Sequence, residues 1–252
     1  MIILRFFKSL FGIYAALFFI ATLLISTPLY FFVFLFLSDK KAPHIAHQII
    51  SRSWARILTW GFFTPVRIKN STYIHPGKAY VMIANHRSQL DIPLYALASK
   101  NTLRFLAKAE LTKIPLLGFI IRKLYMTVNR TDRNDRNRSI EIMRRSLDEN
   151  ISVFLCPEGT RNRQNEPPLL DFREGAFRLA IITKTPIAVL TLLNTGEKLS
   201  PVHPMEFTPG PLYAVWDEPI DTSNLTMEDV PALKEKVRQM MIAHLSKFRK
   251  KK

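Results

Sequence analysis

Cysteine is almost missing from this chain: Cys156 is the one such residue among 252. That excludes an intrachain disulfide and a zinc centre built on a cysteine cluster, and it suits a reducing compartment. Acidic side chains are also short, with 20 Asp and Glu against 36 Lys and Arg, a formal net charge of +16. So basic a surface is drawn to anions, which leaves nucleic acid, an anionic bilayer and acidic substrates open. The basic residues form no aromatic-interleaved patch and no known reader motif, which counts against nucleic acid as a partner. Repeats and low-complexity linkers are absent, so one globular domain with an appendage is expected.

Charge is missing altogether from Ser9 to Leu37, 29 residues dense in Phe, Leu and Ile. A span needs roughly 20 such residues, whereas a secretory signal has an apolar region of about 7–15 and a small-residue cleavage site, which is not evident here. The run is therefore expected to be a retained membrane anchor, either one helix or a helical hairpin. Arg5 and Lys8 precede it and Lys40 and Lys41 follow. A hairpin turning near Pro28 would keep both basic pairs on one side, and that form is favoured. Pro43–Phe63 reads as an amphipathic helix, with Ile45, Ile49, Trp54, Ile57, Leu58 and Phe62 apolar and Arg52 and Arg56 between them. His44 and His47 stand at a spacing a metal could use, but no other ligands gather nearby, and no metal site is expected.

From residue 65 to 252 the pattern is α/β, after an N-terminal membrane-associated segment over 1–64. Strands are expected at Val66–Lys69, Ala79–Ala84, Arg104–Ala107, Met126–Val128, Ile151–Leu155, Ile187–Leu192 and Leu212–Trp216. Helices are expected at Ile92–Ser99, Leu116–Lys123, Asp135–Asp148, Glu174–Ile182 and Met227–Phe248. This alternation predicts a central, mostly parallel sheet flanked by helices. Thr226-Met227-Glu228-Asp229 resembles a capping box opening the last helix. The basic C-terminal run Lys247–Lys252 fits a solvated tail and an electrostatic membrane contact equally well.

Two turns carry chemistry. Asn85-His86-Arg87-Ser88-Gln89-Leu90-Asp91 follows the apolar run Ala79–Ala84 and leads into a helix, with Asp91 at or near its N-cap. Across such a turn His86 and Asp91 can meet, and a carboxylate on one imidazole nitrogen leaves the other free as a base. A purely structural His–Asp pair fits the same pattern. Cys156-Pro157-Glu158-Gly159-Thr160-Arg161 follows Ile151–Leu155, at the end of a strand where parallel sheets bind ligands. Its glycine permits close backbone approach and its arginine suits a phosphate. Cys156 reads as a small apolar residue rather than a nucleophile, because no histidine is close in sequence. Arg130 ends the stretch Met126-Thr127-Val128-Asn129-Arg130, and Lys108 lies between the two turns. Taken singly, each is an ordinary surface cation.

In this order and at these separations, Asn85–Asp91, Gly118–Arg130, Cys156–Arg161 and Thr185–Ile187 resemble the four blocks of the glycerolipid acyltransferases, most closely the 1-acylglycerol-3-phosphate acyltransferases of phospholipid biosynthesis. The resemblance covers roughly Ala79–Leu192. Two positions depart from the pattern: Cys156 stands where phenylalanine is usual, and Asn129 where aspartate is common. Neither is the base or a basic ligand. The resemblance implies that His86 acts as general base with Asp91 orienting it, that no acyl-enzyme forms, and that no cofactor is needed. It further implies that Arg130, Glu158, Gly159, Thr160 and Arg161 hold the acceptor's phosphate, with Lys108 as a further contact, and that Pro186 lies on the acyl-donor side. Expected partners are a lipid bilayer, lysophosphatidic acid or a related lysolipid, and acyl-CoA or acyl-carrier protein. The catalytic domain is expected on the cytoplasmic face of the membrane.

Overall fold

A computed structural model of the protein describes residues 2–128, 133–164 and 166–250, and in it the uncharged run lies within one continuous helix, α1 (Ile2–Phe36). The expected hairpin is absent, and Pro28 lies inside the helix. The physical reason is that α1 is clamped to the rest of the chain on both sides of the proline. Leu23 and Tyr30 are buried in one cluster with Ala46, Ile50, Ile120 and Leu124, and the Tyr30 hydroxyl lies 2.8 Å from Ser51 Oγ. A turn at Pro28 would break that cluster. The lost amide bond is a smaller penalty.

The contact runs nearly the whole length of α1. Arg5 pairs with Glu206 at 3.2 Å, the Tyr14 hydroxyl donates to Gly61 O at 3.0 Å, and Phe19 stacks on Trp54. Further along, Phe31 meets Phe119, and Lys123 lies over the Phe34 ring. The rest of the helix surface is bare: among the described residues α1 is the one helix long and apolar enough to cross a membrane, yet only 17% of that window is buried. The amphipathic stretch after it forms α2 (Ala42–Ile45), a π-helical turn (Ala46–Ser51) and α3 (Arg52–Gly61). Ala46, Ile50, Ala55 and Leu58 face inward, while Ile49, Ile57, Trp60 and, just beyond α3, Phe63 face out.

The strands are β1 (Val66–Lys69), β2 (Val81–Ala84), β3 (Leu103–Lys108), β4 (Met126–Val128), β5 (Ser152–Leu155), β6 (Ile187–Leu192) and β7 (Leu212–Trp216). The remaining helices are α4 (Asp91–Ala98), α5 (Leu117–Leu124), α6 (Arg133–Asp148), α7 (Gly175–Thr183), the short α8 (Thr195–Lys198) and α9 (Val230–Arg249). Together the strands make one seven-stranded sheet in the order β1-β7-β6-β2-β5-β3-β4. All pairings are parallel except β6 with β7. The sheet is thus mostly parallel, as the alternation predicted.

Strand β2 is central and fully covered, so its four residues read as an unbroken apolar run rather than an alternation. Its side chains still divide by face. Met82 and Ala84 join the cluster that includes Leu58 of α3 and Leu94 and Tyr95 of α4, whereas Val81 and Ile83 join α6, α7 and α9. The first cluster also takes in Ala15 of α1, so the core crosses the expected boundary at residue 64 without a break. The last helix follows its predicted stripe, with Val230, Leu233, Val237, Met241 and Leu245 buried. The Asp229 carboxylate accepts the Thr226 backbone N–H at 2.7 Å, as the capping pattern required. This topology sends the chain from β2 to α4 on one face and from β5 to α7 on the other. The ends of neighbouring parallel strands from which chains leave in opposite directions form a crevice suited to a ligand.

Candidate active site

The crevice is closed by side chains that replace the missing ladder bonds. Asn85, one residue past β2, donates through Nδ2 to Leu192 O at 2.9 Å, and its Oδ1 accepts the Leu192 N–H at 2.7 Å. The Tyr95 hydroxyl donates to Asn85 O at 2.6 Å, tying α4 to the same point. His86 is then held by its backbone at both ends: its N–H donates to Glu158 Oε1 at 2.9 Å, and its carbonyl accepts the Asn162 N–H at 2.8 Å. Its imidazole is left for other work.

That imidazole meets Asp91, with 2.7 Å between Nδ1 and Oδ2. Asp91 lies in the first turn of α4 with Leu90 at the N-cap, one residue from the expected cap position. Its carboxylate turns back on the preceding loop, where Oδ2 also accepts the N–H groups of Arg87 at 2.7 Å and Ser88 at 2.9 Å. Asp91 is wholly buried, whereas the His86 side chain keeps 19% exposure. A carboxylate oxygen only accepts, so Nδ1 carries the hydrogen and Nε2 presents its lone pair. The pair has the geometry of an oriented general base.

Glu158 is where the structure adds most to the sequence. It is buried, and both its oxygens are occupied by backbone donors, Oε1 by His86 and Oε2 by the Leu170 N–H at 2.8 Å. Burial holds its carboxyl pKa above the usual carboxylate range, and those two N–H groups, with His86 and Arg87 nearby, offset only part of that rise. This geometry makes Glu158 a brace between two loops. Gly159 has φ of +70°, and a Cβ there would stand 2.7 Å from Arg173 Nε, so both conformation and space favour glycine. Thr160 is exposed and Arg161 half-buried. Among the described residues neither side chain has a protein partner, and both remain available to a ligand.

Lys108 sits at the end of β3, beyond β5 from β2, exposed and 3.0 Å from Glu110 Oε1. Arg130 and Asn129 lie outside the described residues. Pro186 stands just before β6, at the end of the strand away from Leu192: its carbonyl accepts the N–H of Val81, the first residue of β2. At about 3.3 Å per residue, β6 separates it from Leu192 by roughly 20 Å. Cys156 is half-buried, its Sγ 3.5 Å from the Tyr95 hydroxyl. His44 uses Nδ1 on Thr102 Oγ1 at 2.8 Å, and among the described residues no cluster of three or more His, Cys, Asp or Glu could hold a metal. Sequence reasoning missed Asn162 and Arg173. Asn162 is the next residue after the Cys156–Arg161 block, so extending that block would have found it. Arg173 carries no spacing signal, because only the fold returns it to Gly159.

A family model described as Acyltransferase matches residues 65–192. The 1-acyl-sn-glycerol-3-phosphate acyltransferase of Saccharomyces cerevisiae is 31% identical over 213 residues, covering 81% of this chain and 68% of that protein. The human 1-acyl-sn-glycerol-3-phosphate acyltransferase alpha is 28% identical over 180 residues, covering 70% of this chain and 62% of that protein. Among solved structures, the 1-acyl-sn-glycerophosphate (LPA) acyltransferase PlsC from Thermotoga maritima shares the fold. Its TM-score is 0.79 at 23% identity, over 97% of this chain and 96% of that one.

Proposed function

This chain belongs to the Acyltransferase family, and from that premise we propose that it transfers a fatty acyl group from an acyl thioester to the free hydroxyl of 1-acylglycerol-3-phosphate, giving phosphatidic acid. The observation that carries the proposal is the 2.7 Å bond that orients His86 on Asp91. His86 Nε2 takes the proton of the acceptor hydroxyl as its oxygen attacks the thioester carbonyl. The tetrahedral intermediate collapses by breaking the carbon–sulfur bond, and the thiolate recovers the proton from the imidazolium. One ester and one thiol result, with no acyl-enzyme. Asp91 keeps the imidazole in the productive tautomer and stabilises its cation.

Arg161 and Thr160 would hold the acceptor's phosphate, with Gly159 shaping the turn that presents them, together with Arg130 and, at the outer edge, Lys108. Glu158 acts by positioning His86 rather than by touching the phosphate. The donor is acyl-CoA or acyl-carrier protein, both of which suit the basic surface. The test is a purified-protein assay of thiol release with each donor and a panel of lysophospholipid acceptors. Fastest release with lysophosphatidic acid is expected. No release above the acceptor-free background with any acceptor would refute acyl transfer, and a faster lysolipid would reassign the acceptor.

The anchoring follows from the same packing. A helix that touches the α/β domain from Arg5 to Phe34 cannot stand across a bilayer while that domain stays in water. We therefore propose that α1 lies in the plane of one leaflet, with the exposed side of α3 beside it and the catalytic domain on the cytoplasmic face. In a Cys156→Ala background, single cysteines at Ile3 and Asp39 are expected to react with an impermeant maleimide from the same side of the membrane. Labelling from opposite sides would establish a span.

A further inference from the structure

A second site lies away from His86, along the outer edge of the sheet. A groove of about 710 Å³ runs between α3 and β1, lined on its helix side by Arg52, Arg56, Trp60 and Phe63 and on the other by Ile68 and Leu97. The helix residues recur at steps of about one turn, so they share a face. At one end the lining is cationic; along the rest it is mainly aromatic and aliphatic, with Thr59 and Thr64 between.

Arg52 is the unusual member. It is 9% exposed, and its one hydrogen-bond acceptor among the described residues is Ala96 O, 3.3 Å from Nη1. Among the described residues no carboxylate offsets it. The titratable groups around it are Arg56, which repels it, and His47, which is fully buried beside His44. Burial, with Arg52 close by, holds the His47 imidazole neutral, its pKa pushed down to about 3. A guanidinium that is buried and uncompensated is costly, and an anion with two or more acceptor oxygens would relieve it. Leading away from that charge, Trp60 and Phe63 are 80% and 62% exposed, the surface expected to meet lipid rather than water. The groove's volume lies in the range that holds small amphiphiles.

We propose that this groove binds one glycerophospholipid of the surrounding membrane, its phosphate on Arg52 and Arg56 and one acyl chain laid along Trp60, Phe63 and Ile68. The site is separate from the catalytic pair, since Arg52 meets α4 near its last turn and Asp91 opens that helix. It does not depend on the acyl-transfer reading.

The test uses the full chain, delipidated in detergent and titrated with dioctanoyl-phosphatidylglycerol, which is neither substrate nor product of the proposed transfer. Bound lipid is counted by native mass spectrometry, and affinity is read from tryptophan fluorescence with Trp60→Phe as reference. One lipid per chain is expected, with affinity falling tenfold or more in the Arg52→Met, Arg56→Gln double variant and at least as far for dioctanoylglycerol, which lacks the phosphate. Ile68→Trp fills the groove while keeping both arginines, so it should also lose the lipid even if the double variant folds poorly. Unchanged binding in Ile68→Trp, or in a folded double variant, overturns the proposal. So does equal binding of dioctanoylglycerol, or saturation by inorganic phosphate alone.

Discussion

Replacing His86 with alanine is expected to lower kcat by about 10²–10⁴-fold, the range general-base catalysis supplies, with KM for acceptor and donor within a few-fold of the parent. The substitution is clean because the loop does not depend on the imidazole. His86 is tied to Glu158 and Asn162 by its backbone, and Asp91 keeps its bonds to the Arg87 and Ser88 N–H groups when the ring is gone. Thermal unfolding and membrane partitioning should therefore match the parent, while thiol release in the presence of lysophosphatidic acid collapses. A folded His86→Ala protein with near-parent kcat would remove His86 as the base. A raised KM with kcat intact would make it a binding residue instead.

The sequence made much of this site legible because its chemistry is local. The pair sits within one turn, and the strand before it is apolar throughout because β2 is covered on both faces. What escaped the sequence depends on pieces that meet only in the fold. Glu158 was read as a ligand from its block, and its contacts with the backbone of His86 and Leu170 come from loops that meet only in the fold. Pro186 was placed on the acyl-donor side by the resemblance alone, and the structure sets it just before β6, where its carbonyl meets the Val81 N–H. Of the two forms expected at the N-terminus, the single helix over Ile2–Phe36 stands and the favoured hairpin does not, for a related reason. Pro28 is a plausible turn by local rules, and only packing against the π-helical turn and α5 overrules it. Likewise the amphipathic pattern with Arg52 and Arg56 between apolar residues is legible in the sequence, but the facing wall from β1 and α4 is not.

Asp91 separates orientation from charge, and its two replacements should behave differently. Oδ2 accepts three hydrogen bonds, whereas Oδ1 is buried with no partner among the described residues. An asparagine can place its oxygen where Oδ2 stands and its amide where Oδ1 stands, keeping all three donors satisfied. Asp91→Asn is therefore expected to hold the same tautomer of His86 but to lose the negative charge that stabilises the imidazolium, and its amide, buried without an acceptor, should cost about 1–3 kcal/mol of unfolding stability. A fall in kcat of about 10²-fold or more, with KM little changed, is the expected result. Alanine instead leaves two buried N–H groups and the His86 ring without their acceptor. It should lower kcat at least as far and also reduce unfolding stability by about 2–6 kcal/mol, because unsatisfied buried donors cost about 1–3 kcal/mol each. Denaturant unfolding and steady-state kinetics on both variants separate the two roles. If Asp91→Asn keeps parent-like turnover, the carboxylate only positions the ring, and the imidazolium needs no countercharge from this residue.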